Sequence, residues 1–290
     1  MLLPYLWMLS GAFAFAIMGA FAYALREVCE WQVVALARSI VPLCVAAYLA
    51  RSAGVTLVFR GPRSLWVRSI AGSVSLISSF YAFTHLPISE VLTLTNLFPI
   101  WVAVLSWPLL KVVPALDVWI ASATGILGVF LVQQKHLGQA DHENLAAFAA
   151  LGASFFSGVA MIGLNRLKSI PTWAIVLHFS FVSLLFSAGS FFFFGRSVGG
   201  AAEWSGRTLA MLFCVGLSAT VGQFFLTKAF TSGPAARVSV VGLTQVGFGI
   251  AFDALLWRQS FGWLTILGTI LIVAPTAWLL VRTKELQIES

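Results

Sequence analysis

Ten times along this chain an apolar run recurs that is long enough to cross a lipid bilayer as a helix. The runs fall near 4–24, 32–50, 66–84, 88–110, 116–133, 145–164, 173–194, 208–230, 235–256 and 262–281. A hydrocarbon core about 30 Å thick needs roughly 20 such residues. Composition agrees: 60% of residues are hydrophobic and only 9% charged, where an ordinary soluble domain carries about 25% charged residues. The chain is therefore read as an all-α integral membrane protein with ten transmembrane helices and the lipid bilayer as its solvent.

The connections are short and punctuated by Pro62, Pro87, Pro114, Pro171 and Pro234. The longest polar segment, "QQKHLGQADHEN" at 133–144, divides the runs five and five. It sets two candidate units, 4–134 and 145–282. The third-to-fourth junction of the first unit reads Ala82-Phe83-Thr84-x-x-Pro87, and that of the second reads Ala229-Phe230-Thr231-x-x-Pro234. Both prolines begin a helix, where a missing N–H costs nothing. "VALARS" (34–39) is echoed by "IVLHFS" (175–180), and "GILGVFL" (125–131) by "GTILIVA" (268–274). Five is odd, so the second unit must start from the opposite side of the membrane. The expected architecture is two inverted five-helix repeats, a plan that recurs in secondary transporters with sites near the midplane.

Lys and Arg in the loops set orientation. With the N-terminus inside, the inner loops and tail hold Arg51, Arg60, Arg63, Arg68, Lys111, Arg166, Lys168, Arg282 and Lys284. The outer loops hold Arg26, Lys135, Arg196, Arg207 and Arg258. Both termini are expected in the cytoplasm, with the chain in the plasma (bacterial inner) membrane. The opening "MLLPYLWMLSGAFAF" lacks a basic stretch and reads as a retained first helix rather than a cleaved signal.

Other classes find little support. The net charge is +7, but the basic residues form no patch among aromatics, so nucleic acid is not an expected partner. Cys29, Cys44 and Cys214 have no metal-like spacing. His136, Asp141, His142 and Glu143 look metal-like but fall in the polar linker. No metal and no cofactor is expected. There is no H-E-x-x-H and no phosphate-binding G-x-x-x-x-G-K-[ST]. The nearest approach to G-x-S-x-G is Gly152-Ala153-Ser154-Phe155-Phe156, without the last glycine. An intramembrane enzyme or a scaffold remains the alternative reading.

The ordered set of Arg38, "FYAFTHLPISE", "NLFPIWVAVLSW", "LTKAFTSGPAARVSVVGLTQVGFGIAF" and "LGTILIVAPTAWL" resembles the drug/metabolite transporter superfamily, in its EamA-domain branch, over nearly the whole chain. The resemblance implies a transporter of small organic metabolites, often working outward. One position departs from the family, which often has a Glu at the end of the fourth helix of each half. Here Lys111 and Arg258-Gln259 stand there.

Ionisable residues within spans are costly and usually face a cavity or a partner. Arg38 lies about two turns into the second helix and either faces a cavity or snorkels. Lys228 lies near the end of the eighth. Glu90 and Arg237 are equivalent positions one turn into the fourth helix of each half. Glu90 suits the positive end of a helix dipole and Arg237 does not, so Arg237 wants an anion, a carboxylate or a headgroup. Asp253 is deeper, either a proton site or a partner of Arg258; Glu90 is the other candidate for proton coupling. Thr93 and Asn96, with Thr244 and Gln245 in the second half, form a polar line. Gln223 and His178 add an amide and an imidazole. Tyr81 and Trp101, with Trp7 and Tyr23, are candidate aromatics of the pathway. The set gathers on helices that, by the resemblance, border a central cavity.

The expected mechanism is alternating access. Arg38, Lys228 and Arg237 favour a substrate with a carboxylate or phosphate. Glu90 and Asp253 leave an amino-acid-like zwitterion open. Proton coupling would need Asp253 or Glu90 to be buried; otherwise exchange with a counter-substrate or facilitated flow is expected, by a monomer or a weak dimer.

Overall fold

The computed structural model describes residues 2–25, 28–56, 58, 61–85, 88–133, 144–194, 205–258 and 262–288. Among the described residues there are helices and no strand. Every expected apolar run is helical, but two of the ten are broken. The first three are α1 (Leu3–Leu25), α2 (Trp31–Ser52) and α3 (Arg63–His85). The fourth run is split into α4 (Ile88–Thr95) and α5 (Phe98–Leu110), and the fifth is α6 (Leu116–Gln133). In the second half, α7 (Asn144–Asn165), α8 (Thr172–Phe194) and α9 (Gly206–Ser232) are followed by a split ninth run. It comprises α10 (Ala235–Gly242) and α11 (Thr244–Trp257), and α12 (Trp263–Ile288) ends the chain. Six stretches are long and apolar enough to cross a membrane, and three shorter helices are apolar too.

The surface is that of a protein solvated by lipid. Phe192, Tyr48, Phe148 and Trp107 are exposed, while Ala12, Ala35, Ala46, Ala160, Ser69, Ser154 and Ser187 are fully buried. Small residues inside let helix backbones approach. Gly216 lies against Val41 and the Ala37 carbonyl, and Gly222 against the ring of Phe15. Ser75 donates across to the Ala153 carbonyl at 2.8 Å and bonds Ser157 at 2.7 Å. The Gly-Ser stripe of α3 and the Gly-Ala stripe of α9 are thus packing surfaces.

The two breaks have the same form. Leu97 N–H bonds the Leu94 carbonyl and Ile100 N–H bonds Leu97; Leu243 N–H bonds Val240 and Val246 N–H bonds Leu243. Each is a local tightening to the three-residue bonding of a 3₁₀ turn. Pro99 fixes the first, because it has no N–H to continue the ladder. Beyond each broken run the helix stops at a basic residue in the left-handed region, Lys111 with φ 57° and Arg258 with φ 51°. Such backbone is uncommon outside glycine. These are the non-glycine positive-φ residues among the described positions, and they hold matching places in the two halves.

Packing joins the halves more than it joins neighbours in sequence. The most extensive pairs are α1 with α9, α3 with α7, α6 with α12 and α2 with α8, then α2 with α9, α3 with α8, α1 with α10–α11 and α7 with α4–α5. Exchanging each helix for its counterpart leaves this set unchanged. The four leading pairs are antiparallel. Pro4 meets Gly233 while Gly11 meets Gly222, and Arg68 meets Gly163 while Ser75 meets Ala153. Gly128 and Gly268 meet each other: a Cβ on either would lie 2.5–2.6 Å from the other's carbonyl oxygen. Asn165, at the end of α7, donates to the carbonyls of Phe230 and Gly233, both at 2.8 Å. It supplies partners that the last turn of α9 lacks.

Candidate functional site

An internal cavity with room for about one water molecule lies where the halves meet. Its wall takes Phe15 from α1, Leu76 from α3, and Ala219 and Gln223 from α9. The rest comes from α2, with Arg38, Ser39 and Pro42, and from α8, with Phe179, Ser180 and Ser183. Each of these residues lies near the middle of its helix. The cavity is therefore at mid-height of five helices, three from one half and two from the other.

Local chemistry shapes this wall. Ser39 Oγ donates to the Ala35 carbonyl and meets Ser183 Oγ at 3.0 Å, tying α2 to α8 where they cross. Pro42 lies inside α2. It has no N–H, so the Arg38 carbonyl four residues earlier loses its usual in-helix donor. Arg38 thus brings a donor fork and an underused acceptor to one place. Gln223 is buried, and its Nε2 is 3.4 Å from Thr227 Oγ1.

A second cation sits behind this wall. Arg68 is 1% exposed, and its guanidinium carbon is 4.2 Å from the centre of the Phe179 ring. Its Nε has no hydrogen-bond partner. Neither Arg38 nor Arg68 takes part in an ion pair among the described residues. Beside Arg68, Ser69 Oγ is 2.8 Å from His178 Nδ1, and Trp66 stands edge-on to the imidazole at 4.6 Å between centroids. His178 Nε2 is buried without a partner. Arg68 is a correction to the sequence reading, which counted it as an inner-loop charge. The helix begins at Arg63, so Arg68 is more than one turn inside and faces α7 and α8.

The other expected site residues are dispersed. Lys228 lies between the rings of Trp7 and Phe224, at 5.1 and 4.9 Å, with Trp173 stacked on Phe224. Such cation–π contacts hold it away from the cavity wall. Arg237 has the carboxylate that its position demanded: Asp117, buried in the first turn of α6, at 3.0 Å. Trp101 Nε1 donates to Ser154 Oγ at 2.9 Å. Tyr81 packs with Ala82, Val91 and Ala150. Asn96 donates to the Leu92 carbonyl and Thr244 to that of Val241, so both serve the helix breaks. Gln245 is exposed. The side chains of Glu90, Thr93 and Asp253 lie outside the described residues, as do Pro87 and the linker histidines His136 and His142.

Of the residues singled out in the sequence, Arg38 and Gln223 line this cavity; Pro42, Phe179, Ser180 and Ser183, which also line it, and Arg68 behind it were not singled out. Two signals were present. Arg68 falls within the third apolar run, and Pro42 lies four residues after an intramembrane arginine.

Comparison with known proteins follows the same lines. Residues 144–281 match the model of the EamA-like transporter family. The chain is 27% identical over 276 residues to the pseudopaline exporter CntI of Pseudomonas aeruginosa, covering 94% of each chain. It is 24% identical over 245 residues to human solute carrier family 35 member G1, covering 77% of this chain and 65% of that one. A solved crystal structure matches with a TM-score of 0.81 at 17% identity, over 94% of this chain and 96% of the other. That likeness is one of fold. With the helical architecture described above, residues 144–281 match the EamA-like transporter family, and the similarity to proteins named as transporters runs over nearly the whole chain.

Proposed function

We propose that the chain is a secondary transporter that exports a small organic metabolite by alternating access, with both termini in the cytoplasm of a bacterial cell. The observation that carries this reading is the mid-height cavity between the halves, with Arg38 and Gln223 in its wall. Transporters built from two repeats bind there, and the halves rock about the bound molecule. Export is supported by the similarity along 94% of each chain to a protein named as an exporter.

An inverted relation between 4–134 and 145–282 is supported by four features. The Ala-Phe-Thr-x-x-Pro junction recurs, both fourth helices break, Lys111 and Arg258 share a rare backbone form, and the helix pairings survive exchange of the halves. Among the described residues, no carboxylate lines the cavity. This favours substrate exchange or flow down a gradient over a proton carried within the cavity itself.

The test is flux. Proteoliposomes holding the purified chain are loaded with a bacterial metabolite extract, and the molecules that leave are followed by mass spectrometry. Protein-dependent exit of a subset of metabolites is expected. An exit profile identical to that of protein-free vesicles would sink the reading.

A further inference from the structure

Arg68 is the largest fully buried side chain of the described residues, yet among them it has no counter-charge. In a low-dielectric interior an unpaired guanidinium is costly unless something offsets it. The Phe179 ring supplies part of the offset by a cation–π contact. Among the described residues nothing supplies the rest: Nε is unpartnered, and none of their carboxylates pairs with the guanidinium. Glycine at 72 and 163 makes the space, since a Cβ at Gly72 would run into the guanidinium and one at Gly163 would press on the Arg68 backbone. The fold therefore houses this cation deliberately close to a second one. Arg38 and Phe179 line the same cavity, and Arg68 lies against the Phe179 ring, so the two cations stand on either side of one side chain. Like charges held together in such a medium repel, and anionic charge brought in from outside relieves both.

Phe179 is the residue common to the two. One face of its ring meets Arg68, and the same side chain lines the cavity that Arg38 borders. Phe179 thus stands between the Arg68 guanidinium and the cavity. We propose that Arg38 and Arg68 form a two-cation site with Phe179 as the movable partition, and that the transported molecule carries two acidic groups, one for each guanidinium. This deepens the transporter reading and rests on it. A planar fork suits a carboxylate through two parallel hydrogen bonds, so a dicarboxylate is the substrate class. A single acid group would satisfy one arginine and leave the other unrelieved.

The experiment measures thermal unfolding of the purified full chain in detergent at fixed ionic strength. The probes are straight-chain dicarboxylates from malonate to adipate and the matching monocarboxylates, since a molecule that binds the folded state raises its apparent stability. At least one dicarboxylate is expected to raise the midpoint well beyond its monocarboxylate counterpart. Arg38→Gln and Arg68→Gln should each reduce that shift to the monocarboxylate level. Equal shifts for mono- and diacids, or an Arg68→Gln variant that keeps the full preference, would overturn the proposal. Should Arg68→Gln not fold, Phe179→Leu decides. It retains both arginines and removes the partition, so the half-saturating diacid concentration should fall at least threefold; an unchanged or higher value overturns the proposal. Flux from extract-loaded vesicles separates this from the reading beneath it. Exit confined to molecules with one acid group or none overturns the two-cation site and leaves the transporter. Diacid binding without any flux overturns the transporter and leaves the site.

Discussion

At the scale of single residues, three cations in similar sequence settings have different fates. Arg237 found a carboxylate, Lys228 found aromatic rings, and Arg38 found a cavity. Asp117 is buried and Arg237 keeps 24% of its side-chain surface exposed. Removing one partner of a buried pair costs about 3–5 kcal/mol, and this partial exposure points to the lower end. Asp117→Ala should therefore lower the unfolding midpoint clearly, and Asp117→Ala with Arg237→Ala should recover part of the loss. A neutral Asp117→Ala would show that the pair stabilises nothing. Arg38 should behave in the opposite way. Hydrogen bonds to charged groups are worth about 1.5–3 kcal/mol, so Arg38→Ala should reduce vesicle flux about tenfold or more with little change in the midpoint. Arg38→Lys should lose flux too, because an ammonium does not reproduce the guanidinium fork. Normal flux by Arg38→Ala would remove it from the site.

At the scale of elements, contact between helices depends on what is missing from their surfaces. α6 and α12 cross where Gly128 and Gly268 face each other's carbonyl oxygens. The obstacle to a methyl group there is backbone, which cannot swing aside as a side chain can. Gly268→Ala should force the helices apart, at a cost of about 1–3 kcal/mol as for overpacked cores. The expected readout is a lower unfolding midpoint in detergent. Gly249→Ala is the control, since nothing lies within 4 Å of a Cβ there. Equal midpoints for the two variants would refute this account of the crossing. The broken fourth and ninth runs belong to the same scale. Hydropathy does not mark either break, because Leu97 and Leu243 continue the apolar run beside the polar Asn96 and Thr244.

At the scale of the whole molecule, the pairing of α1 with α9 and of α3 with α7 makes each half incomplete alone. The halves interleave, so the proposed rocking would run along the seam on which Arg38 and Arg68 stand. Orientation is a property of this scale as well. With Arg68 moved inside the protein, the basic bias toward the inner side narrows but keeps its sign. A reporter fused after Ser290 and active only in the periplasm should stay silent. Signal from it would overturn the topology.

The lengths of the apolar runs were enough to show ten helical stretches and their approximate ends, and the ordered motifs around Arg38 and the two Ala-Phe-Thr junctions carried the family resemblance. Those features are local: a run of 20 apolar residues is a helix in lipid whatever its neighbours are. Arg38 and Gln223 were legible for a related reason, since a polar side chain deep in an apolar run must be accounted for. What covers each polar group was not legible. Whether an arginine meets Asp117, a tryptophan ring or an open cavity depends on which helices lie side by side. In this fold the partners come from the other half, often more than a hundred residues away. Arg68 is the sharpest case. Its sequence neighbourhood looks like a membrane edge, and only the packing of α7 and α8 over it turns a surface charge into a buried one.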